Sequence, residues 1–288
     1  MKPILLSLLI IASLSSCKKE EGQVAEPTIN AAVLNNISYG SAALQKMDAY
    51  LPANRSTTNT KAIVMIHGGG WTTGDKDGYK AFADTLQRRF PDYAVFNINY
   101  RLSAFPNNLF PTQEMDVKAA IEFIYSKRND YLISDQFALI GESAGAHLAM
   151  LYAYKYNTPV KIKAVASFFG PADLTDMYNN PVNGNTTISL ALAQAIGNTP
   201  TTNPTIYVQS SPVSFITPTS AVPTILLHGG RDALVSPSQS VLVRNRLVAA
   251  GVPNEYVLYP TKDHGFDWDA ATFFDAFNKI QAFFIQHI

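Results

Sequence analysis

Phe137-Ala138-Leu139-Ile140-Gly141-Glu142-Ser143-Ala144-Gly145 runs directly into Ala146-His147-Leu148-Ala149-Met150-Leu151. The four apolar residues before Gly141 read as a buried strand, and the run after Gly145 reads as the start of a helix. A serine pinched between these two glycines marks a strand-to-helix turn, the nucleophile elbow. The turn is so sharp that the serine's neighbours must lack bulky side chains. Ser143 would project its hydroxyl above the sheet edge. The helix that follows aims its free N–H groups and positive dipole end at the same place, which favours negative charge there. G-x-S-x-G alone also describes a small-residue turn that packs a helix on a strand, so its surroundings decide the reading.

On both sides of the turn, apolar runs alternate with helical patterns. Val33–Tyr39 and Gln45–Leu51 read as an opening antiparallel hairpin, followed by a polar loop from Ala53 to Lys61. Strands are expected at Ala62–Ile66, Tyr93–Ile98, Phe137–Ile140, Lys163–Phe168, Thr224–Leu227 and Glu255–Leu258. Between them lie a helical stretch at Gly78–Phe90 and a helix opened by Pro111. The second places Met115, Ala119, Ala120, Ile121, Phe123 and Ile124 on one broad face. Helices at Pro237–Ala250, stopped by Gly251, and at Thr272–Gln286 complete the series. This alternation predicts an α/β fold: a mostly parallel central sheet with helices on both faces. Residues 171–221 break the rhythm. They are rich in Asn, Thr and Pro with one helical patch at Ile188–Ile196, and read as an insertion over the sheet edge that shapes a pocket.

The chain has 288 residues, a formal net charge of zero and 47% hydrophobic residues, enough for a sizeable core. No basic stripe is available to neutralise phosphates, so the composition speaks against a nucleic-acid partner. No G-x-x-x-x-G-K-[ST] loop occurs, and the histidines lack metal-ligand spacing; neither metal nor other cofactor is expected. At the N-terminus, Lys2 precedes an apolar run from Ile4 to Leu14, too short to span a bilayer but of signal-peptide length. Leu14-Ser15-Ser16-Cys17 resembles a bacterial lipobox, and Cys17 is the only cysteine. The expected division is therefore a lipoprotein signal peptide over 1–16, a lipidated tether over 17–30 and a folded domain over 31–288. Cys17 would anchor an exported protein to the cell envelope. With one cysteine, no intrachain disulfide can help hold the core.

His67-Gly68-Gly69-Gly70-Trp71 follows the first buried strand. Consecutive glycines expose backbone N–H groups and allow close approach of a ligand, which suits donors aimed at a developing oxyanion. Gly69, Gly70 and the N–H of Ala144 are the expected donors, with Trp71 as a pocket wall. Together with Asn99-Tyr100-Arg101-Leu102, His228-Gly229-Gly230-Arg231-Asp232 and Asp263-His264-Gly265-Phe266, these motifs resemble the α/β-hydrolase superfamily. The similar branch is the esterase and lipase group related to hormone-sensitive lipase, including bacterial carboxylesterases. The resemblance implies an α/β-hydrolase fold, with Ser143 as nucleophile, Asp232 as acid and His264 as base, in that chain order.

Other residues compete for these roles. His67 is expected to orient the glycine turn, His147 to pack or line the pocket and His228 to serve structure; His287 sits at the terminus. Asp263 and Asp267 do not follow the strand that should carry the acid. Tyr100 and Arg101 are expected to brace the loop beneath the glycines. The implied activity is hydrolysis of a small-molecule or carbohydrate-linked carboxylic ester through an acyl-enzyme. Two alternatives stand beside it. Ser143–Leu148 also resembles arylformamidases, which cleave an N-formyl amide, and a catalytically silent fold could serve as a surface binding module.

Overall fold

A computed structural model describes residues 28–288. The expected signal peptide and Cys17, and nearly all of the expected tether, lie outside the described residues. The described chain builds one eight-stranded sheet in the order β1-β2-β4-β3-β5-β6-β7-β8. Its strands are β1 (Ala32–Ser38), β2 (Lys46–Leu51), β3 (Ala62–Ile66), β4 (Ala94–Ile98), β5 (Phe137–Glu142), β6 (Ile162–Phe168), β7 (Thr224–Gly229) and β8 (Asn254–Tyr259). The β1–β2 and β2–β4 pairs are antiparallel, and all the others are parallel.

Parallel pairing needs a crossover between strands, and helices supply it. These are α1 (Lys80–Arg89), α2 (Thr112–Ser126), α3 (Arg128–Tyr131), α4 (Ala144–Lys155), α5 (Leu174–Asn179), α6 (Thr186–Ile196), α7 (Pro204–Gln209), α8 (Ser238–Ala249) and α9 (Ala270–His287). Alternation along β3 divides the core between the two faces of the sheet. Ala62, Val64 and Ile66 pack with Ile121 of α2, Leu148 of α4 and Leu247 of α8. Ile63 and Met65 face the other way, with Leu86 of α1 and Phe277 and Phe284 of α9. No helix among the described residues is long and apolar enough to cross a membrane.

Three expectations need correction. On α2, Met115 is solvent-exposed, while Gln113, Glu114 and Asp116 are buried beside Val117, Ala120, Ile121 and Ile124. Partners hold those acids inward: Asp116 takes both nitrogens of the Arg101 fork at 2.7 and 2.8 Å, and Glu114 pairs with Lys155 at 2.7 Å. Within residues 171–221, the single expected helical patch is α6, but α5 and α7 also form. Each has six residues and starts on a side-chain cap: Asp173 accepts from the Asp176 N–H, and Asn203 from the Ile206 N–H. In so short a helix the cap is a stronger signal than periodicity. Arg101 is the third correction. It clamps Asp116 on α2 rather than bracing the glycines.

Candidate active site

The sheet order reverses between β3 and β5, and in open α/β sheets that is where a crevice opens beyond the strands' carboxyl ends. Ser143 stands there, between β5 and α4, with φ 52° and ψ −119°. A serine gains nothing from this backbone region, so the surroundings must hold it there. Its N–H donates to Phe168 O on β6 at 2.9 Å. The flanking glycines are there for close packing. A Cβ on Gly141 would lie 2.4 Å from the backbone of Gly145, and one on Gly145 would lie 2.1 Å from Ile66 O.

The loop after β3 closes over this elbow. A Cβ on Gly68 would lie 2.9 Å from Glu142 O and 3.4 Å from Ser143 Cβ. The Gly68 N–H donates to the Tyr79 hydroxyl at 3.0 Å. Tyr100 donates to His67 O at 3.1 Å and stacks on the His67 ring, bracing the turn as expected. His67 Nδ1 lies 2.7 Å from Gly68 O, so this histidine does orient the glycine turn. Among the described residues, no acceptor takes the N–H of Gly69, Gly70 or Ala144. These amides are free for a ligand, and Gly70 and Ser143 line the same cavity.

Loops after β7 and β8 bring in the other two groups. His264 Nε2 lies 2.9 Å from Ser143 Oγ, and His264 Nδ1 lies 2.6 Å from Asp232 Oδ2. Asp232 is buried, and its other oxygen accepts the N–H groups of Leu234 and Val235 at 2.9 and 2.8 Å. Burial alone would raise this carboxyl's pKa. Hydrogen bonds from His228, His264 and the Val235 N–H outweigh that and hold it well below the usual carboxylate range. Glu142 beside Ser143 is shifted the other way, upward by burial and only partly offset by Tyr79 and His264.

The competing residues play other parts. Asp263 and Asp267 exchange reciprocal backbone bonds that shape the His264 loop, each accepting the other's N–H. His287 packs on Phe283 at the end of α9. His147 is fully buried and bonded to Ser210 O. His228 has more to do than simple packing. Its Nε2 lies 2.9 Å from Val235 O and 3.2 Å from Asp232 Oδ2, and its Nδ1 meets Ser240 Oγ at 2.8 Å. A carbonyl can only accept, so Nε2 carries the proton and a second imidazole N–H faces the buried carboxylate. Its place four residues before Asp232 was visible in the sequence, but nothing there indicated that its ring turns toward the carboxylate. Phe169 is the other addition, with its ring 4.6 Å from that of His264.

Above Ser143 lies a cavity of about 180 Å³. Gly70 and Trp71 form one wall, so Trp71 does line the pocket. Met177 of α5 and Ile188, Ala191 and Leu192 of α6 form another, with Leu234 and Val235 from the Asp232 loop. The insertion thus shapes the pocket, and its contribution is wholly apolar.

The BD-FAE family model matches residues 47–247. The chain belongs to this family. BD-FAE membership agrees with the α/β-hydrolase relatives of the esterase and lipase group. The chain is 29% identical over 250 residues to the probable carboxylic ester hydrolase LipM of Mycobacterium tuberculosis, covering 81% of this chain and 56% of LipM. It is 29% identical over 218 residues to Esterase LipQ of the same organism, covering 71% and 50%. This BD-FAE chain therefore spans about half the length of these relatives. A solved structure described as a truncated carbohydrate esterase from gut microbiota superposes with a TM-score of 0.72 at 25% identity. That alignment covers 90% of this chain and 96% of the other.

Proposed function

We propose that this protein is a serine carboxylic ester hydrolase working through an acyl-enzyme. The observation that carries the reading is the unbroken chain Ser143 Oγ–His264–Asp232 beside three unengaged amides. A serine hydroxyl is a poor nucleophile until a base takes its proton. Ser143 Oγ attacks the ester carbonyl as His264 Nε2 accepts the hydroxyl proton. Asp232 fixes the imidazole tautomer and stabilises the imidazolium. The carbonyl oxygen, now negative, takes hydrogen bonds from the N–H groups of Gly69, Gly70 and Ala144; one such donor is typically worth about 3 kcal/mol. The imidazolium then protonates the departing alcohol. Water, activated by the same imidazole, attacks the acyl-serine, and collapse of the second tetrahedral species releases the acid and restores Ser143.

The cavity is smaller than the roughly 300–1,000 Å³ usual for drug-sized ligands, so the enclosed part of the substrate is small. Short acyl esters suit it, with the remainder of the substrate in solvent. The likeness to a carbohydrate esterase supports acylated sugars as the substrate class. Turnover of p-nitrophenyl acetate, p-nitrophenyl butyrate and acetylated sugars by wild type and Ser143→Ala tests this. Loss of the nucleophile should cost about 10⁶-fold in kcat. Absence of wild-type turnover, or equal turnover by both proteins, overturns the reading. Formylkynurenine assayed alongside separates ester from formamide hydrolysis.

Export with a lipid anchor on Cys17 belongs to the same proposal. It predicts incorporation of labelled palmitate that is lost in Cys17→Ala; equal labelling of both contradicts it.

A further inference from the structure

Gly69, Gly70 and Trp71 have φ values of 110°, 58° and 62° in succession. Glycine takes such backbone freely. A bulky residue does so only where its surroundings over-determine it. Two contacts constrain Trp71. The Ser103 N–H donates to Trp71 O at 2.8 Å, and the indole Nε1–H donates to His147 Nδ1 at 3.2 Å, with the two rings edge-on at 5.2 Å.

The second contact determines the state of His147. An indole N–H can only donate, so Nδ1 must carry a lone pair. Nε2 lies 2.7 Å from Ser210 O, which can only accept, so the proton is on Nε2. His147 is therefore neutral, in one tautomer, with both nitrogens engaged. Burial pushes its pKa down to about 4, which keeps this state at neutral pH. Both clamps on Trp71 lead to the insertion. Ser210 ends α7, and Ser103 Oγ donates to Ala195 O on α6 at 3.2 Å.

We infer that His147, anchored on Ser210, is a positioning residue that holds Trp71 in its left-handed backbone and so aims the Gly69 and Gly70 amides at Ser143. The inference rests on the ester-hydrolase reading. It makes the insertion part of the oxyanion loop's support as well as a pocket wall. A histidine that merely fills space would contribute to stability and leave the chemical step alone.

Three substitutions separate the two bonds. In His147→Asn, the side-chain oxygen stands near the Nδ1 position and keeps the acceptor for the indole. In His147→Gln, the amide reaches toward Nε2, keeping the donor to Ser210 and removing the acceptor. Trp71→Phe keeps a ring and removes the donor. With p-nitrophenyl acetate, His147→Gln and Trp71→Phe should each lower kcat by up to about 100-fold, the scale of an ångström-sized misplacement. KM should change little in His147→Gln, whose side chain does not line the cavity, and the Trp71 variant is read by kcat alone. His147→Asn should retain more of kcat than His147→Gln, and the part it loses reports the missing bond to Ser210. The double variant Trp71→Phe/His147→Gln should be no slower than either single variant, since both remove one bond.

In a Trp268→Phe background, used for fluorescence alone, Trp71 emission should shift in His147→Gln and stay in place in His147→Asn. Wild-type kcat in His147→Gln, a loss confined to thermal stability, multiplying effects in the double variant, or unchanged Trp71 emission would each overturn the inference. Should His147→Gln fail to fold by circular dichroism, His147→Asn and Trp71→Phe carry the test, and wild-type kcat in Trp71→Phe overturns it. Absence of esterase turnover in wild type would instead defeat the functional reading, while emission would still report on the Trp71–His147 bond.

Discussion

Gly145→Ala sets helix propensity against packing, and the structure says which wins. Gly145 is in the first turn of α4, where alanine is favoured over glycine by about 1 kcal/mol. The added Cβ would lie 2.1 Å from Ile66 O and 2.5 Å from His67 O, whereas real Cβ atoms essentially never approach closer than 3.0 Å. The shortfall of about 0.9 Å is against backbone at the end of β3, which cannot rotate away. Overpacking of this kind costs about 1–3 kcal/mol, so net stability falls modestly. Function should fall much further. The strain separates α4 from β3, the two elements that carry Ser143 and the glycine loop, and an ångström there costs about 100-fold in kcat. Gly78→Ala is the control, because nothing lies within 4 Å of its Cβ. The assay is p-nitrophenyl acetate turnover with thermal unfolding of both variants. Near-wild-type kcat in Gly145→Ala would show that the α4–β3 contact does not set the position of Ser143.

Asp232→Asn should reduce kcat by about 10⁴-fold through loss of the correct His264 tautomer. It also has a pH signature. The folded carboxyl's pKa is depressed, so its contribution to stability is present above the unfolded value near 4 and is lost as pH falls below that. The Tm gap between wild type and Asp232→Asn should be widest above about pH 5 and narrow toward pH 3; a constant gap contradicts this. Asp48→Ala would leave the buried Lys76 ammonium with only the exposed Asp77 carboxylate, at a cost of about 3 kcal/mol in urea unfolding. A loss below about 1 kcal/mol, the scale of a surface pair, would show that pair to be expendable. Ile188→Ala opens the cavity wall, and the butyrate-to-acetate ratio of kcat/KM should rise about tenfold. An unchanged ratio would mean that the acyl chain does not enter this cavity.

The parallel part of the sheet was readable because its strands are short apolar runs separated by helical patterns, and Ala62–Ile66 keeps its expected bounds. Ser143 was equally readable, since each flanking glycine answers a backbone contact shorter than any side chain permits. What could not be read depends on contacts between distant segments. Met115 reads as core by spacing, yet α2 turns inward its acids, because Arg101 and Lys155 await them. The turn of the His228 ring toward Asp232, like the bond between Trp71 and His147, is a tertiary fact without a local signature. In residues 171–221, Asp173 and Asn203 were the available signals, and they specify helices too short for periodicity to register.

The most direct test mixes wild-type protein with p-nitrophenyl acetate, follows pre-steady-state nitrophenol release, and maps the acid-quenched protein by peptide mass spectrometry. A single acetyl group is expected on Ser143, absent from Ser143→Ala and strongly diminished in His264→Ala. An acetyl group on another residue, or turnover that persists undiminished in Ser143→Ala, would contradict it.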